Sequence, residues 1–301
     1  MRKLSRRAAS IALAAAMLFT TIGVSQKKVE AASTGKLSVT GYQDYSDAQK
    51  ILKEVNKYRK KNGRKALKMD RGLTNSAIMR GFETTIYIPE TSPHRRPNGK
   101  LSKSINKKII YENCAQSAGT TPKQIVKGWI NSSTHRKGLL LSNAKSVGVA
   151  AVTVVSRDGY EANTWVLDFS SSKAKKVEKS KARKQFTKNI VTKNSYLKKS
   201  YLKLDSRYGT IWETEKMQMK PTYQGKMMKE YGVYPTVINA SSFTSWKSSN
   251  PFVASVDSNG RITGNKAGTA TISAKLKTGT KITISKKIKV VPMNQQIDPW
   301  E

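Results

Sequence analysis

The chain has 301 residues, with 56 Lys plus Arg against 19 Asp plus Glu, a formal net charge of +37 and one cysteine, Cys114. One cysteine excludes an intramolecular disulfide framework, and the length allows two domains rather than one. A field of this sign excludes polycationic partners and favours polyanions.

Residues 1–31 read as a secretory signal. Arg2, Lys3, Arg6 and Arg7 form a basic start, Ala8 to Val24 an apolar run, and Val29-Glu30-Ala31 a small-residue cut site. The apolar run is broken by Ser10, Thr20, Thr21 and Gly23 and sits at the short limit for a spanning helix. Cleavage near Ala31 is therefore expected, leaving no transmembrane anchor and a net charge of +32. An exported chain without disulfides fits a single-membrane bacterium, secreted and wall-associated. Its expected partners are anionic cell-wall polymers or acidic glycans, with no nucleic acid.

Residues 32–45 form a polar lead-in. Ser46-Asp47-Ala48-Gln49 then reads as a capping box, opening a helix with Ile51, Leu52, Val55 and Tyr58 on one face and Gly63 at its end. A second helix is predicted from Gly72 to Thr85, with Leu73, Ala77, Ile78 and Phe82 apolar. Ser92 to Gly99 is a turn-rich loop. Thr121-Pro122-Lys123-Gln124 opens another helix, with Pro at its first position and Ile125, Val126, Trp129 and Ile130 as its apolar face. The period then changes: Ser146 to Val155 and Thr164 to Phe169 read as strands joined by a turn at Arg157-Asp158-Gly159. Helices followed by strands over 46–171 predict an α+β layered domain. Residues 172–200, with eleven Lys or Arg and one Glu, predict an extended, solvated linker. From 201 to 292 short β-branched segments around Ser258-Asn259-Gly260 predict an all-β sandwich. A tail, 293–301, follows.

The only two histidines are His94, in the turn-rich loop, and His135, after a polar turn. Two imidazoles and the Glu112 carboxylate could ligate zinc with a position left for water, or act as general acid and base without metal. Their separation along the chain makes spacing alone a weak signal. Cys114, in a short apolar stretch, reads as a small buried hydrophobe. Ser132 and Ser133 read as helix caps, not as nucleophiles beside His135.

Longer stretches carry a resemblance. Leu52-Lys53-Glu54-Val55-Asn56, His94-Arg95-Arg96-Pro97-Asn98-Gly99, Glu112-Asn113-Cys114-Ala115, Trp129 through His135-Arg136, Val147-Gly148-Val149-Ala150 and Trp165-Val166-Leu167-Asp168-Phe169 follow one another in order. Together they resemble the CAP superfamily (cysteine-rich secretory, antigen 5 and pathogenesis-related proteins) in a disulfide-free bacterial form. The resemblance implies a three-layer α-β-α sandwich with a cleft lined by two His and two Glu, whose histidines bind a divalent metal in some members. His94, His135 and Glu112 take three of those positions, and Ser132 stands at the fourth. Glu83, on the second helix, is either a further cleft carboxylate or a solvated helical residue. The second half, from Trp246-Lys247-Ser248-Ser249-Asn250-Pro251 to Gly260-Arg261-Ile262-Thr263 and Lys266-Ala267-Gly268-Thr269-Ala270, resembles the bacterial immunoglobulin-like group-2 domain, common in surface and adhesion proteins. Three functions follow as expectations: cleft binding with attachment to anionic wall or host surfaces through the basic linker and the Ig-like domain, metal-assisted peptide hydrolysis through His94, His135 and Glu112, and lipid or sterol carriage.

Overall fold

The computed structural model describes residues 34–86, 94–156, 159–205, 209–230, 232–277 and 280–295. The signal segment, Ser92 and Pro93 of the histidine loop, Arg157 and Asp158 of the predicted turn, and residues 296–301 of the tail lie outside the described residues.

The first domain is built from β1 (Thr34–Asp44), α1 (Tyr45–Lys61), β2 (Lys68–Met69), α2 (Arg71–Ile86), β3 (Tyr111–Ser117), α3 (Pro122–Asn131), α4 (Ser133–Leu139), β4 (Ser146–Val155), β5 (Glu161–Ser170) and β6 (Arg183–Lys193). Its six-stranded sheet runs β3-β5-β4-β1-β6, with β2 beside β4. Every residue of β4 but the last is buried, because helices cover both faces of this central strand. The alternation sorts its side chains: Ala150, Val152 and Val154 meet Ala77, Ile78 and Phe82 of α2. Val147, Val149 and Ala151 meet Ile51 and Val55 of α1, Trp129 of α3 and Leu139 of α4. The result is the expected α-β-α sandwich.

Helix ends follow local chemistry. Thr121 caps α3 through the predicted reciprocal box with Gln124. Helix α1 starts earlier than predicted, because the Asp44 carboxylate accepts from the Asp47 backbone at 2.9 Å, a stronger cap for the positive helix end than Ser46. Near its far end Arg59 is fully buried and donates to the carbonyls of Lys65 at 2.8 Å and Leu139 at 2.7 Å. A cation on the closing carbonyls of α4 fixes the short helix that carries His135.

Two expectations at the edges of this domain need correction. The lead-in contains β1, and the predicted solvated linker contains β6, paired antiparallel with β1 from Thr34↔Lys193 to Asp44↔Arg183. Ahead of β6 the chain is also held down: Glu178 is buried, donates its N–H to Met69 at 2.9 Å and accepts from Arg71 at 3.0 Å. Charge density pointed to solvation, but lysines are what an edge strand carries to repel other strands, and main-chain pairing does not depend on side-chain polarity.

The second domain comprises β7 (Leu202–Asp205), β8 (Thr210–Trp212), β9 (Lys216–Gln218), β10 (Lys220–Tyr223), α5 (Lys226–Glu230), β11 (Thr236–Val237), β12 (Phe243–Ser248), β13 (Ala254–Val256), β14 (Arg261–Gly264), β15 (Gly268–Leu276) and β16 (Thr283–Val291). A sheet of order β12-β15-β16-β8 packs with smaller sheets β11-β10-β7 and β13-β14-β9. Alternation in β15 buries Ala270, Ile272, Ala274 and Leu276, as predicted. Gly260 turns the β13–β14 hairpin at φ +74°, against the ring of Trp246.

The sandwich is clamped to the first domain. Asn239 donates from its backbone to the Ser38 carbonyl at 2.8 Å and from its amide to the Ser38 and Thr40 hydroxyls at 3.0 and 2.9 Å. Ser38 donates to Ser242 at 2.8 Å, Thr236 donates to the Thr85 carbonyl at 2.7 Å, and Tyr160 stacks on Tyr234 at 4.8 Å. One apolar cluster continues through both domains. No helix among the described residues is long and apolar enough to cross a membrane.

Candidate functional site

Glu112 is the second residue of β3, opposite Asp168 on β5, which in turn lies opposite Gly148 on β4. The absence of a side chain at Gly148 lets α2 approach the sheet at Leu73 and Thr74. That approach brings Arg80, one turn before Glu83, over the Glu112 carboxylate. Arg80 is 1% exposed and donates two bonds to it, Nε to Oε2 at 2.8 Å and Nη2 to Oε1 at 3.1 Å. Its Nη1 donates to Glu83 at 2.8 Å, and Arg96 closes the far side of Glu83 at 2.7–3.1 Å. Charges alternate along Glu112–Arg80–Glu83–Arg96, so each buried ion faces opposite charge.

His94 sits at the open end of this row, its Nδ1 3.0 Å from Glu112 Oε1. A buried carboxylate on one ring nitrogen fixes the orientation of the imidazole. Arg80 and the His94 contact hold the Glu112 carboxyl down to about 2 against the cost of its burial. His135 lies on α4, its Nδ1 2.9 Å from the Ser132 hydroxyl, while Asn113 of β3 donates to the His135 carbonyl at 2.9 Å. Burial, and then the charge of His94, push the His135 pKa down, favouring the neutral ring at neutral pH. Ser132 occupies the N-cap position of α4, but its side chain makes no capping bond. The expectation that a cap explains it is corrected: the hydroxyl bonds to the imidazole instead.

Glu83 also departs from its expected roles. It is 0% exposed, so it is not a solvated helical residue, and Arg80 and Arg96 share its oxygens, so it offers no ready carboxylate to a ligand. Arg80, Arg96 and Asp168 are site residues that the sequence reading missed. Asp168 is fully buried beneath Glu112, whose negative charge adds to burial in raising its pKa well above the usual carboxylate range.

The donor groups bear on the zinc expectation. His94, Glu112 and Cys114 have ligand atoms within 4.8 Å of one another, a group that could hold a metal, and His135 is not in it. Without a metal the half-buried Cys114 thiol is pushed up to about 12 by burial and then by Glu112, so a metal bound there would have to displace its proton. The Glu112 oxygens already face a guanidinium, whose charge opposes a second cation.

The two carboxyl groups predict opposite pH effects. Glu112 titrates lower folded than unfolded, so its contribution is present above about pH 4.5 and is lost as pH falls toward 2. Asp168 titrates higher folded than unfolded, so ionising the unfolded chain costs stability as pH rises above about 3.8. Asp168→Asn removes the second effect at nearly unchanged volume. Thermal melts from pH 5 to 8 should show the variant gaining on the parent as pH rises, by at most about 1.4 kcal/mol per unit. A pH-independent difference would contradict the assignment.

Residues 52–169 match the family model of the cysteine-rich secretory protein family, CAP, and residues 218–287 match that of the bacterial Ig-like domain, group 2. The Bacillus subtilis protein YkwD is 31% identical over 130 residues, covering 42% of this chain and 48% of that protein. The chain thus spans about half the length of this curated relative. Among solved structures, an outer surface protein of Borrelia burgdorferi is similar at 18% identity and a TM-score of 0.32, over 43% of this chain and 98% of its own. An extracellular protein containing an SCP domain from Bacillus anthracis is similar at 19% identity and a TM-score of 0.32, over 42% and 41% of the two chains.

Proposed function

We propose that this chain, which carries a CAP domain at 52–169 followed by a bacterial Ig-like domain at 218–287, is an exported protein that binds a polar ligand at the His94–Glu112–His135 cleft and holds to an anionic cell-wall polymer. The observation that favours binding is the engagement of Glu112: Arg80 donates to both of its oxygens and His94 Nδ1 stands 3.0 Å from Oε1, so the carboxylate holds the site together rather than standing free to take a proton. A general base works best with a pKa near the operating pH, and this carboxylate is held down to about 2 by Arg80. What the cleft offers instead is hydrogen bonding from His94, oriented by Glu112, and His135, oriented by Ser132. The net charge of +32 left after the expected cleavage supports attachment through long-range attraction, which salt screens.

Two measurements test this reading. The purified chain should be retained on isolated cell walls at low salt and released at high salt; retention unchanged by salt would refute the electrostatic attachment. Peptide libraries incubated with the chain, with and without zinc, should show no turnover. Cleavage abolished by both His94→Ala and His135→Ala would replace binding with hydrolysis.

A further inference from the structure

We infer that the outer face of α1 and α3 is the surface on which this protein holds a phosphodiester polymer, an inference that rests on the attachment reading above and gives it a place. Helix α1 carries Lys50, Lys53, Lys57 and Lys61 at steps of three and four residues, all exposed. Those steps keep them on one side of the helix, opposite buried Ala48, Ile51, Val55 and Arg59. Lys60 and, just past the helix, Arg64 extend the exposed basic surface. At a rise of 1.5 Å per residue the row from Lys50 to Lys61 is about 16 Å long.

Helix α3 lies alongside, with Lys123 and Lys127 exposed four residues apart. Between the helices runs an open groove of about 330 Å³, lined by Lys50, Lys53, Glu54, Thr121, Pro122 and Lys123. The acids in this region are Glu54, half-buried in the groove, and Asp47, which pairs with Lys50 at 2.8 Å. Cations therefore line both sides of the groove and far outnumber the anions, although like charges this close repel on a helix surface. A polyanion relieves that repulsion.

The residue type points to the polymer's chemistry. Lysine is a compact point charge on a flexible stem, without the planar fork by which arginine selects a fixed carboxylate or phosphate geometry. A row made almost wholly of lysine suits a flexible chain of separate monoanionic charges that slides while remaining bound. A linear polyol phosphate has that form. Part of the linker first expected to make this contact, Arg183–Lys193, is instead paired into the sheet as β6.

The test uses the full chain on immobilised poly(glycerol phosphate), with polyglutamate as the carboxylate comparison. One variant carries Lys50→Gln, Lys53→Gln, Lys57→Gln and Lys61→Gln. A second removes the same charge from the sandwich by Lys275→Gln, Lys277→Gln, Lys287→Gln and Lys289→Gln, all exposed, three on β15 and β16 and Lys277 just past the end of β15. Glutamine preserves helix propensity, and the exposed Lys50–Asp47 pair contributes little to folding. The α1 variant should lose at least about tenfold in affinity at low salt, and its dependence on salt should flatten by several contacts. The sandwich variant should lose clearly less, and the parent should prefer the phosphate polymer to polyglutamate.

Equal losses in the two variants, with the parent bound, would overturn this surface while leaving attachment standing. Equal parent affinity for the two polymers would overturn the phosphodiester assignment. A parent that binds neither polymer would remove the attachment reading itself.

Discussion

Arg80→Met should destabilise the chain by about 3–5 kcal/mol, among the largest losses available to a single substitution here, because it leaves Glu112 and Glu83 buried without the cation they share. Methionine fills a similar volume, so the loss reports charge rather than a cavity. Among the described residues Glu83 keeps the Arg96 guanidinium and Glu112 keeps the His94 ring, a weaker partner, so Glu112 bears more of the change. Without the guanidinium, burial drives the Glu112 pKa upward, and the folded chain takes a proton that the unfolded chain releases. Urea denaturation should therefore show a smaller deficit at pH 5 than at pH 8. Adding Glu112→Gln to Arg80→Met should recover part of the loss, since the two residues are in direct contact and their effects do not add. A deficit below about 1 kcal/mol that does not vary with pH would mean that Arg80 does not hold the charge row together.

Gly148→Ala should cost about 3 kcal/mol or more. A Cβ at this position would lie 2.2 Å from the Leu73 carbonyl carbon and 2.3 Å from its oxygen. Both are backbone atoms at the start of α2, so no side-chain rotation relieves the clash. The helix must lift, and Arg80 and Glu83 ride on it. The loss should therefore reach the histidine site, moving the His94 and His135 ring signals in an NMR spectrum although neither residue touches Gly148. Gly128 on α3 is the internal comparison. A Cβ there meets nothing within 4 Å, and Gly128→Ala should stabilise by about 0.5–1 kcal/mol through helix propensity. If the two substitutions behave alike, close approach of α2 is not what Gly148 provides.

These two positions show where the sequence was informative. The Thr121 cap, the β4 span and the alternation of β15 depend on residues a few positions apart, and each formed as read. His94 and Glu112 meet, which composition made worth asking and the CAP resemblance made specific. Arg80 and Glu83 are different. Three residues apart on a helix, they look like an ordinary exposed pair, and their burial is decided by Glu112 and Arg96, which arrive from a strand and a loop later in the chain. Asp168 sits in an apolar strand, where the pattern offers no warning that its carboxyl faces another. In β6 the apolar signal is confined to Phe186, Ile190 and Val191 amid lysines, so only the partner strand reveals it as a strand.

The pairing of β1 with β6 also determines how the domain responds to a pull. Thr34 and Lys193 face each other at one end of the ladder, and the strands run antiparallel from there. Tension between the chain ahead of Thr34 and the chain beyond Lys193 thus opens the ladder rung by rung, a peeling geometry that yields more easily than shear. The rung nearest the load has a second attachment: the Lys193 N–H donates to the Pro97 carbonyl at 3.0 Å, in the loop that carries His94. A mechanical load at this edge would therefore reach the histidine loop first, before any strand deeper in the sheet gives way.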